Sequence, residues 1–248
     1  DVGQCFVDSD SSATENAMVL RVLDELVGDS LPLRARLRHL ESEDVVGKDP
    51  RWKSLYLDAC WQRRAQRLAV ALEKTPHIVF TRHYDIGGSH YAYTEGQADA
   101  QAERHFVPGS ALCVLDIDGR QGRVHALLED SCGVIRDPDV SYDGQRVLFA
   151  WKKSDRLDDY HLYEMDVRSR QVRQLTFGLG FADYEGVYLP TGDIMFNSTR
   201  CVQIVDCWWT EVSNLYCCDA DGNYLRRVTF DQVHTNYPQV LPDGRVIY

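Results

Sequence analysis

No stretch of 18 apolar residues occurs in the 248-residue chain, which excludes a helix able to cross a membrane. Basic residues are outnumbered, 27 Lys and Arg against 38 Asp and Glu, leaving a net charge of −11. A surface of that sign repels phosphate backbones, so nucleic acid is not an expected partner. Proline is scarce at 8 and glycine stands at 17, which leaves no room for a collagenous or proline-rich linker. No Cys-x-x-Cys occurs, and therefore no Cys-x-x-Cys-His, so neither a zinc ribbon nor a covalently held c-type haem is encoded here. No basic-then-apolar leader opens the sequence, so a secretory signal is expected to be either removed or never present. What remains is an ordinary globular composition, 44% hydrophobic and 26% charged, at a length that suits one large domain or two small ones.

Two regions with different periods follow. Residues 1–75 read as an N-terminal helical segment. Thr14-Glu15-Asn16 opens a run with apolar residues at Val19, Leu20, Val22, Leu23, Leu26 and Val27, closed by Gly28. Leu33, Leu37 and Leu40 share one face of a second helix. Asp49-Pro50 suits the cap and first turn of a third, longer helix. Arg63, Arg64 and Arg67 on that helix read as a solvated face, with a docking surface as the sharper alternative.

From residue 76 to 248 the period is two, and the segments repeat. His77-Ile78-Val79-Phe80-Thr81-Arg82 is echoed at Arg146–Trp151, at Asp193–Ser198 and at Arg245–Tyr248. Leu112-Cys113-Val114-Leu115-Asp116 returns as Leu162-Tyr163-Glu164-Met165-Asp166 and as Leu215-Tyr216-Cys217-Cys218-Asp219. Arg173-Gln174-Leu175-Thr176-Phe177 returns as Arg227-Val228-Thr229-Phe230. Asp143-Gly144, Asp221-Gly222 and Asp243-Gly244 supply hairpin turns. A unit of about 50 residues with four short antiparallel strands is a β-propeller blade. Pro138-Asp139-Val140-Ser141-Tyr142-Asp143-Gly144, followed by Leu-Tyr-x-x-Asp and Leu-Thr-Phe, resembles a PD40-type blade, so the fold class expected is mainly β: a partial PD40-like propeller of four-stranded antiparallel blades, preceded by the helical segment. The blades expected are an irregular one at about 77–136, clear ones at 137–184 and 185–234, and the opening of a fourth. Because closure takes four to eight blades and the chain stops inside an apolar strand pattern, the sequence is expected to be truncated.

Three groups of residues are candidates for chemistry. Four of the eight cysteines lie between Cys201 and Cys218. Cys217 and Cys218 occupy one strand and must point to opposite faces, so only one of them can join Cys201 or Cys207. A Cys201–Cys207 disulfide pinning an insertion is one reading. The other is metal ligation by Cys201, Cys207 and Cys218, with zinc the metal that thiolates would hold. The second group is His83, His90 and Tyr91 around Gly87-Gly88-Ser89, where two glycines permit close backbone approach and the histidines could face the propeller's central channel; a plain turn with a hydrogen-bonded His90 is the alternative. The third is acidic: Asp137, Asp139, Asp155, Asp158, Asp159, Asp183 and Glu185, read as blade-turn carboxylates without a calcium-loop pattern. Asp231 and His234 lead into a first strand and are channel candidates or parts of a turn network. No catalytic residue can be assigned from spacing alone.

Several ordered segments carry a family likeness: His77–His83, Gly88–Glu95, Pro108–Leu112, Arg136–Ser141, Asn197–Cys201, Asp206–Trp209 and Asp231–Asn236. Together they resemble the propeller region of the hydrazine synthase alpha-subunit family, over most of residues 50–248. The resemblance implies an extracytoplasmic protein, with a TolB-like propeller that holds a partner domain or subunit. It implies a zinc ion taking one cysteine from the propeller, and a c-type haem attached only in a C-terminal part that this chain does not contain. On this reading the chain itself holds no cofactor apart from zinc, and the function expected is that of a scaffold. The alternatives are a non-catalytic ligand- or protein-binding propeller and, more weakly, a hydrolase using channel-facing His and Asp residues.

Overall fold

A computed structural model describes residues 5–28, 30–84, 107–118, 121–154, 157–204 and 211–248. The chain divides into two compact units, Asp1–His77 with Asp116–Arg123, and Ile78–Leu115 with Val124–Tyr248.

In the first unit, α1 (Ser12–Leu23), α2 (Leu31–Ser42) and α3 (Pro50–Lys74) enclose a core that includes Val19, Leu23, Leu37, Trp52, Leu55 and Ala59. α3 begins where the sequence places it: Asp49 accepts the Arg51 N–H at 2.9 Å, and Pro50 fills the first position, where no N–H is needed. α1 ends sooner than its apolar run suggests. After Leu23 the bonds tighten to Glu25 N–H→Val22 O and Leu26 N–H→Leu23 O, and Gln66 of α3 ties Val27 through both its amide groups. The arginine run is spent inside the unit, since Arg63 and Arg67 both reach Glu25, at 3.0 and 2.6 Å, and Arg64 stacks over Trp61. Glu15 is wholly buried, and its carboxylate accepts the backbone N–H groups of Ser9 and Lys48, each at 3.1 Å. Gly47 sits against this junction, where an added Cβ would lie 2.3 Å from Ser9 O.

The second unit is built from antiparallel sheets. β1 (His77–His83), β2 (Ser110–Asp118) and β3 (Gln121–Asp130) form a three-stranded sheet in that order. β4 (Val134–Val140), β5 (Arg146–Lys152), β6 (His161–Asp166) and β7 (Val172–Gln174) form a four-stranded meander. β8 (Asp183–Tyr188), β9 (Ile194–Ser198), β10 (Asn214–Cys218) and β11 (Arg226–Arg227) form a second meander, and β12 (Gln239–Val240) pairs with β13 (Val246–Ile247). These are propeller blades. Of the strands in the first meander, β4 packs most closely on β8, β5 less and β6 least, so the first strands converge on an axis and the sheets fan outward.

The repeated residues have local jobs. Thr176 and Thr229, from the two Leu/Val-Thr-Phe segments, each accept the N–H of the leucine that opens the third strand, Leu162 at 3.0 Å and Leu215 at 2.9 Å. Asp166 and Asp219, which close those strands, accept N–H groups of the turns that follow. Gly144, Gly222 and Gly244 take φ values of +70°, +81° and +85°, which the Asp-Gly turns require. Between the meanders Leu148, Leu162, Ile194, Phe196 and Cys218 form one apolar cluster; on the far face of the second meander Val187, Met195, Leu215 and Cys217 form another. Cys217 and Cys218 thus face opposite sides, as strand alternation demands.

The axial strands carry bulges. Register shifts fall at Arg136/Asp139 and at Tyr184/Val187, and Asp137, Glu185 and Tyr237 adopt φ of +51°, +52° and +52° at matching points of the repeat. Of the carboxylates expected in turns, Asp137, Asp139, Asp183 and Glu185 sit within strands instead, because the blades begin at Val134 and Asp183; Asp158 and Asp159 do lie in the connection before β6, and Asp155 lies outside the described residues. Asp139 accepts the Tyr188 N–H at 2.9 Å and Glu185 accepts the Tyr237 N–H at 2.6 Å, stitching each axial strand to the next.

Replacing Glu15 with Ala removes the acceptor of the Ser9 and Lys48 N–H groups at this part-buried junction, and is expected to cost the helical unit about 2 kcal/mol. Hydrogen exchange over residues 12–23 and at Lys48 should report the loss, while amides of β5 and β9 keep their protection.

Candidate functional site

The two ends of the sheets differ. At one end β4–β5, β6–β7, β8–β9, β10–β11 and β12–β13 are joined by short turns. At the other end β1, β5 and β9 finish and β2, β6 and β10 begin, with the described residues 107–109, 157–160, 199–204 and 211–213 beside them and the connections 175–182 and 228–238 between sheets. Binding residues concentrate on loops that a rigid scaffold positions, so this second end is the candidate site.

Its best-defined feature is a buried polar cluster. Asp183, at the start of β8, is fully enclosed; its Oδ1 accepts from Ser198 Oγ at 2.6 Å, and its Oδ2 accepts from Arg200 Nη2 at 2.7 Å. His161, at the start of β6, places Nδ1 3.6 Å from Asp183 Oδ2, and its Nε2 donates to Gly178 O at 2.8 Å. Burial alone would push the Asp183 carboxyl up, but the His161 ring, the Arg200 guanidinium and the Ser198 hydroxyl outweigh it and hold the carboxyl below its usual range. Beside this cluster Glu185 accepts from Asn197 Nδ2 and from the Tyr237 N–H, and Thr235 Oγ1 donates to Asn197 Oδ1 at 3.0 Å. The Asn197–Cys201 and Asp231–Asn236 segments, far apart in sequence, thus meet through buried hydrogen bonds. Two enclosed cations, Arg136 and Lys152, approach the Tyr160 ring from β4 and β5, at 5.7 and 6.0 Å from its centroid.

The sequence candidates distribute unevenly over this end. His83 lines a pocket of about 370 Å³ with Arg82, Tyr84, Ser110, Glu129 and Asp130. His90, Tyr91 and Cys207 lie outside the described residues, and so does any Cys201–Cys207 bond. Cys201, half-buried after β9, donates its thiol hydrogen to Val212 O at 2.9 Å, and burial pushes that thiol up. Ser213 N–H, on the other side of the same peptide group, donates to His234 Nδ1 at 3.2 Å. One peptide plane therefore separates Cys201 from His234. The Asp231 backbone carbonyl accepts from Asn214 Nδ2, and Asp231 itself is exposed. Cys218 is enclosed in the apolar cluster between the sheets, and its thiol is pushed up to about 12 by burial first and by Asp219 second. Among the described residues no three His, Cys, Asp or Glu side chains gather as a metal site would require. Sequence reasoning passed over His161 and Arg200; the position just before the leucine of each repeated third strand holds Ala111, His161 and Asn214, and the polar residues there were the available signal.

No protein-family model and no curated protein matches the chain. Among solved structures it is similar to hydrazine synthase of Kuenenia stuttgartiensis, at 17% identity over 69% of this chain and 27% of that one, with a TM-score of 0.48. It is also similar to TolB from Acinetobacter baumannii, at 20% identity over 57% of this chain and 32% of that one, with a TM-score of 0.41. A third is an oligogalacturonate lyase from Vibrio parahaemolyticus, at 15% identity over 68% and 42%, with a TM-score of 0.43. The chain spans less than half the length of each.

Asp183→Asn removes a buried charge from Arg200 and is expected to cost about 3 kcal/mol at pH 7. Because the Asp183 carboxyl titrates below its ordinary 3.8, its stabilisation is complete above that pH and is lost as pH falls through the lower folded value. Urea melts at pH 7 and at pH 3 should therefore show the gap between variant and wild type narrowing in acid. Thiol labelling under native conditions should modify Cys5 and Cys132 first and Cys201 more slowly, with Cys60, Cys113, Cys217 and Cys218 reacting only on unfolding.

Proposed function

We propose that this chain is the propeller module of a larger extracytoplasmic protein of the hydrazine synthase alpha type, and that its loop-bearing end holds a partner domain or subunit. The observation that carries this reading is the distribution of exposed apolar side chains. Leu157, Phe177, Leu179, Val202, Ile204, Phe230 and Val233 all stand on connections at that end, between 61% and 88% exposed. Exposing such side chains to water is unfavourable, and a surface rich in them is read as one that another protein covers. The partner is a protein. The acidic chain disfavours nucleic acid, and no described helix is long and apolar enough to cross a membrane. The ordered segments that carry the family likeness, from His77–His83 to Asp231–Asn236, support the extracytoplasmic, hydrazine synthase-like part of the reading. No catalytic residue is assigned to this chain.

A finer reading concerns metal. Of the candidate cysteines described, Cys201 has partial exposure at this end, whereas Cys218, at the hairpin end of β10, is sealed among leucines and aromatics. Among the described residues no group of three ligand side chains gathers here, so Cys201 would hold a zinc ion together with residues beyond those described, the partner's included.

Hydroxyl-radical footprinting of the protein from its native source, against the isolated chain, tests the docking. Phe177, Leu179 and Phe230 should be protected several-fold in the native assembly, with Tyr142 and Tyr224 at the hairpin end unchanged. Equal oxidation at both ends in the two samples would sink the proposal. Zinc content of the same assembly, unchanged by Cys201→Ser, would remove the metal reading and leave the docking intact.

A further inference from the structure

The segment 228–238, joining β11 to β12, is fastened at its middle to the start of β10. Ser213 Oγ donates to Thr235 O at 2.9 Å, the Thr235 N–H donates to Ser213 O at 3.0 Å, and Asn214 Nδ2 donates to Asp231 O at 3.2 Å. A fourth bond differs in kind. Ser213 N–H donates to His234 Nδ1 at 3.2 Å, and the acceptor there is a ring lone pair that exists only while Nδ1 carries no proton. The neutral ring then bears its hydrogen on Nε2, which is buried and meets no acceptor among the described residues. A second proton can enter only at Nδ1, where the Ser213 N–H already points.

The described groups around the ring offer no compensation. Ser213, just before β10, and Asn214 at its start present uncharged groups, and Glu211, two residues before Ser213, acts on the Cys201 thiol. Cys201 lies beyond the 212–213 peptide with its thiol on Val212 O, Arg227 of β11 is engaged by Asn214 and Gln203, and Asp231 on the segment itself is exposed. No charged group among the described residues acts on His234; burial alone lowers its basicity from the ordinary 6.5.

We infer that His234 is a proton-operated latch on the segment 231–236. Protonation of Nδ1 from solvent turns an acceptor into a donor, sets it against the Ser213 N–H, and releases the segment from β10. The ring prefers to be neutral in the fold. The latch is accordingly complete above about pH 6.5 and is lost as pH falls through the lower folded value. The latch stands whether or not the loop-bearing end holds a partner, although the same segment carries Val233 and follows directly on Phe230.

The test is amide hydrogen exchange of the whole chain at pH 7.5 and pH 5.0, corrected for the intrinsic rate, in wild type and in His234→Asn. Asparagine places an oxygen acceptor near the position of Nδ1 and takes up no proton. In wild type, protection of Ser213 and of Thr235–Tyr237 should drop about ten-fold or more at pH 5.0, while β5 keeps its protection. In the variant, protection should be the same at both values. An equal acid loss in both proteins, or none in wild type, overturns the latch. If asparagine fails to protect the segment at either pH, the wild-type ring titration followed by NMR decides. A midpoint below 6.5 that coincides with loss of Ser213 protection sustains the latch, and a midpoint without that loss overturns it.

Discussion

A sheet with apolar side chains on both faces cannot stand by itself in water, and the second unit is governed by that constraint. β6 alternates Leu162, which faces the following sheet, with Tyr163 and Met165, which face the preceding one. Burying each such side chain is worth about 2 kcal/mol, and only a neighbouring blade can cover it. Stacking sheets whose strands twist brings their first strands together and spreads their last. The axial strands then crowd, which accounts for the repeated bulges and for the Asp139 and Glu185 carboxylates that bond across to the next strand's N–H groups.

Crowding at the axis also encloses polar groups that need partners. Asp183 is tolerable because Arg200 and Ser198 satisfy its oxygens and His161 approaches one of them; Asn197 is tolerable because Glu185 and Thr235 engage both ends of its amide. The cost of leaving any one of these unpaired is comparable to a large share of a domain's net stability. The same logic holds in the helical unit, where Glu15 closes the junction between Ser9 and Lys48.

With short turns at one end and connections such as 175–182 and 228–238 at the other, the unit has a hairpin side and a loop-bearing one. Tertiary structure places on the loop-bearing side the residues that could recognise another molecule: the exposed apolar side chains, the His83 pocket and half-buried Cys201. A propeller thereby separates what holds it together from what it presents, so a partner can be accommodated by changing connections without disturbing the blades.

The repeat was legible in the sequence because each of its marks answers to a local rule. Asp-Gly makes a turn wherever it stands, alternation sends Cys217 and Cys218 to opposite faces, and Asp49-Pro50 starts a helix whatever lies around it. The helix end at Leu23, the Arg63 and Arg67 pairing with Glu25, and the placing of acids within strands were not legible, since each depends on a neighbour distant in the chain. The candidate site divides in the same way. Cysteine and histidine types could be read from the chain, but burial is decided by packing. Packing sealed Cys218, set Cys201 and His234 on opposite sides of one peptide, and brought His161, Asp183 and Arg200 together across two sheets. Local geometry is a property of a few consecutive residues and is written in their order; the dielectric around a side chain belongs to whatever the fold brings beside it, and exists only once the sheets have stacked.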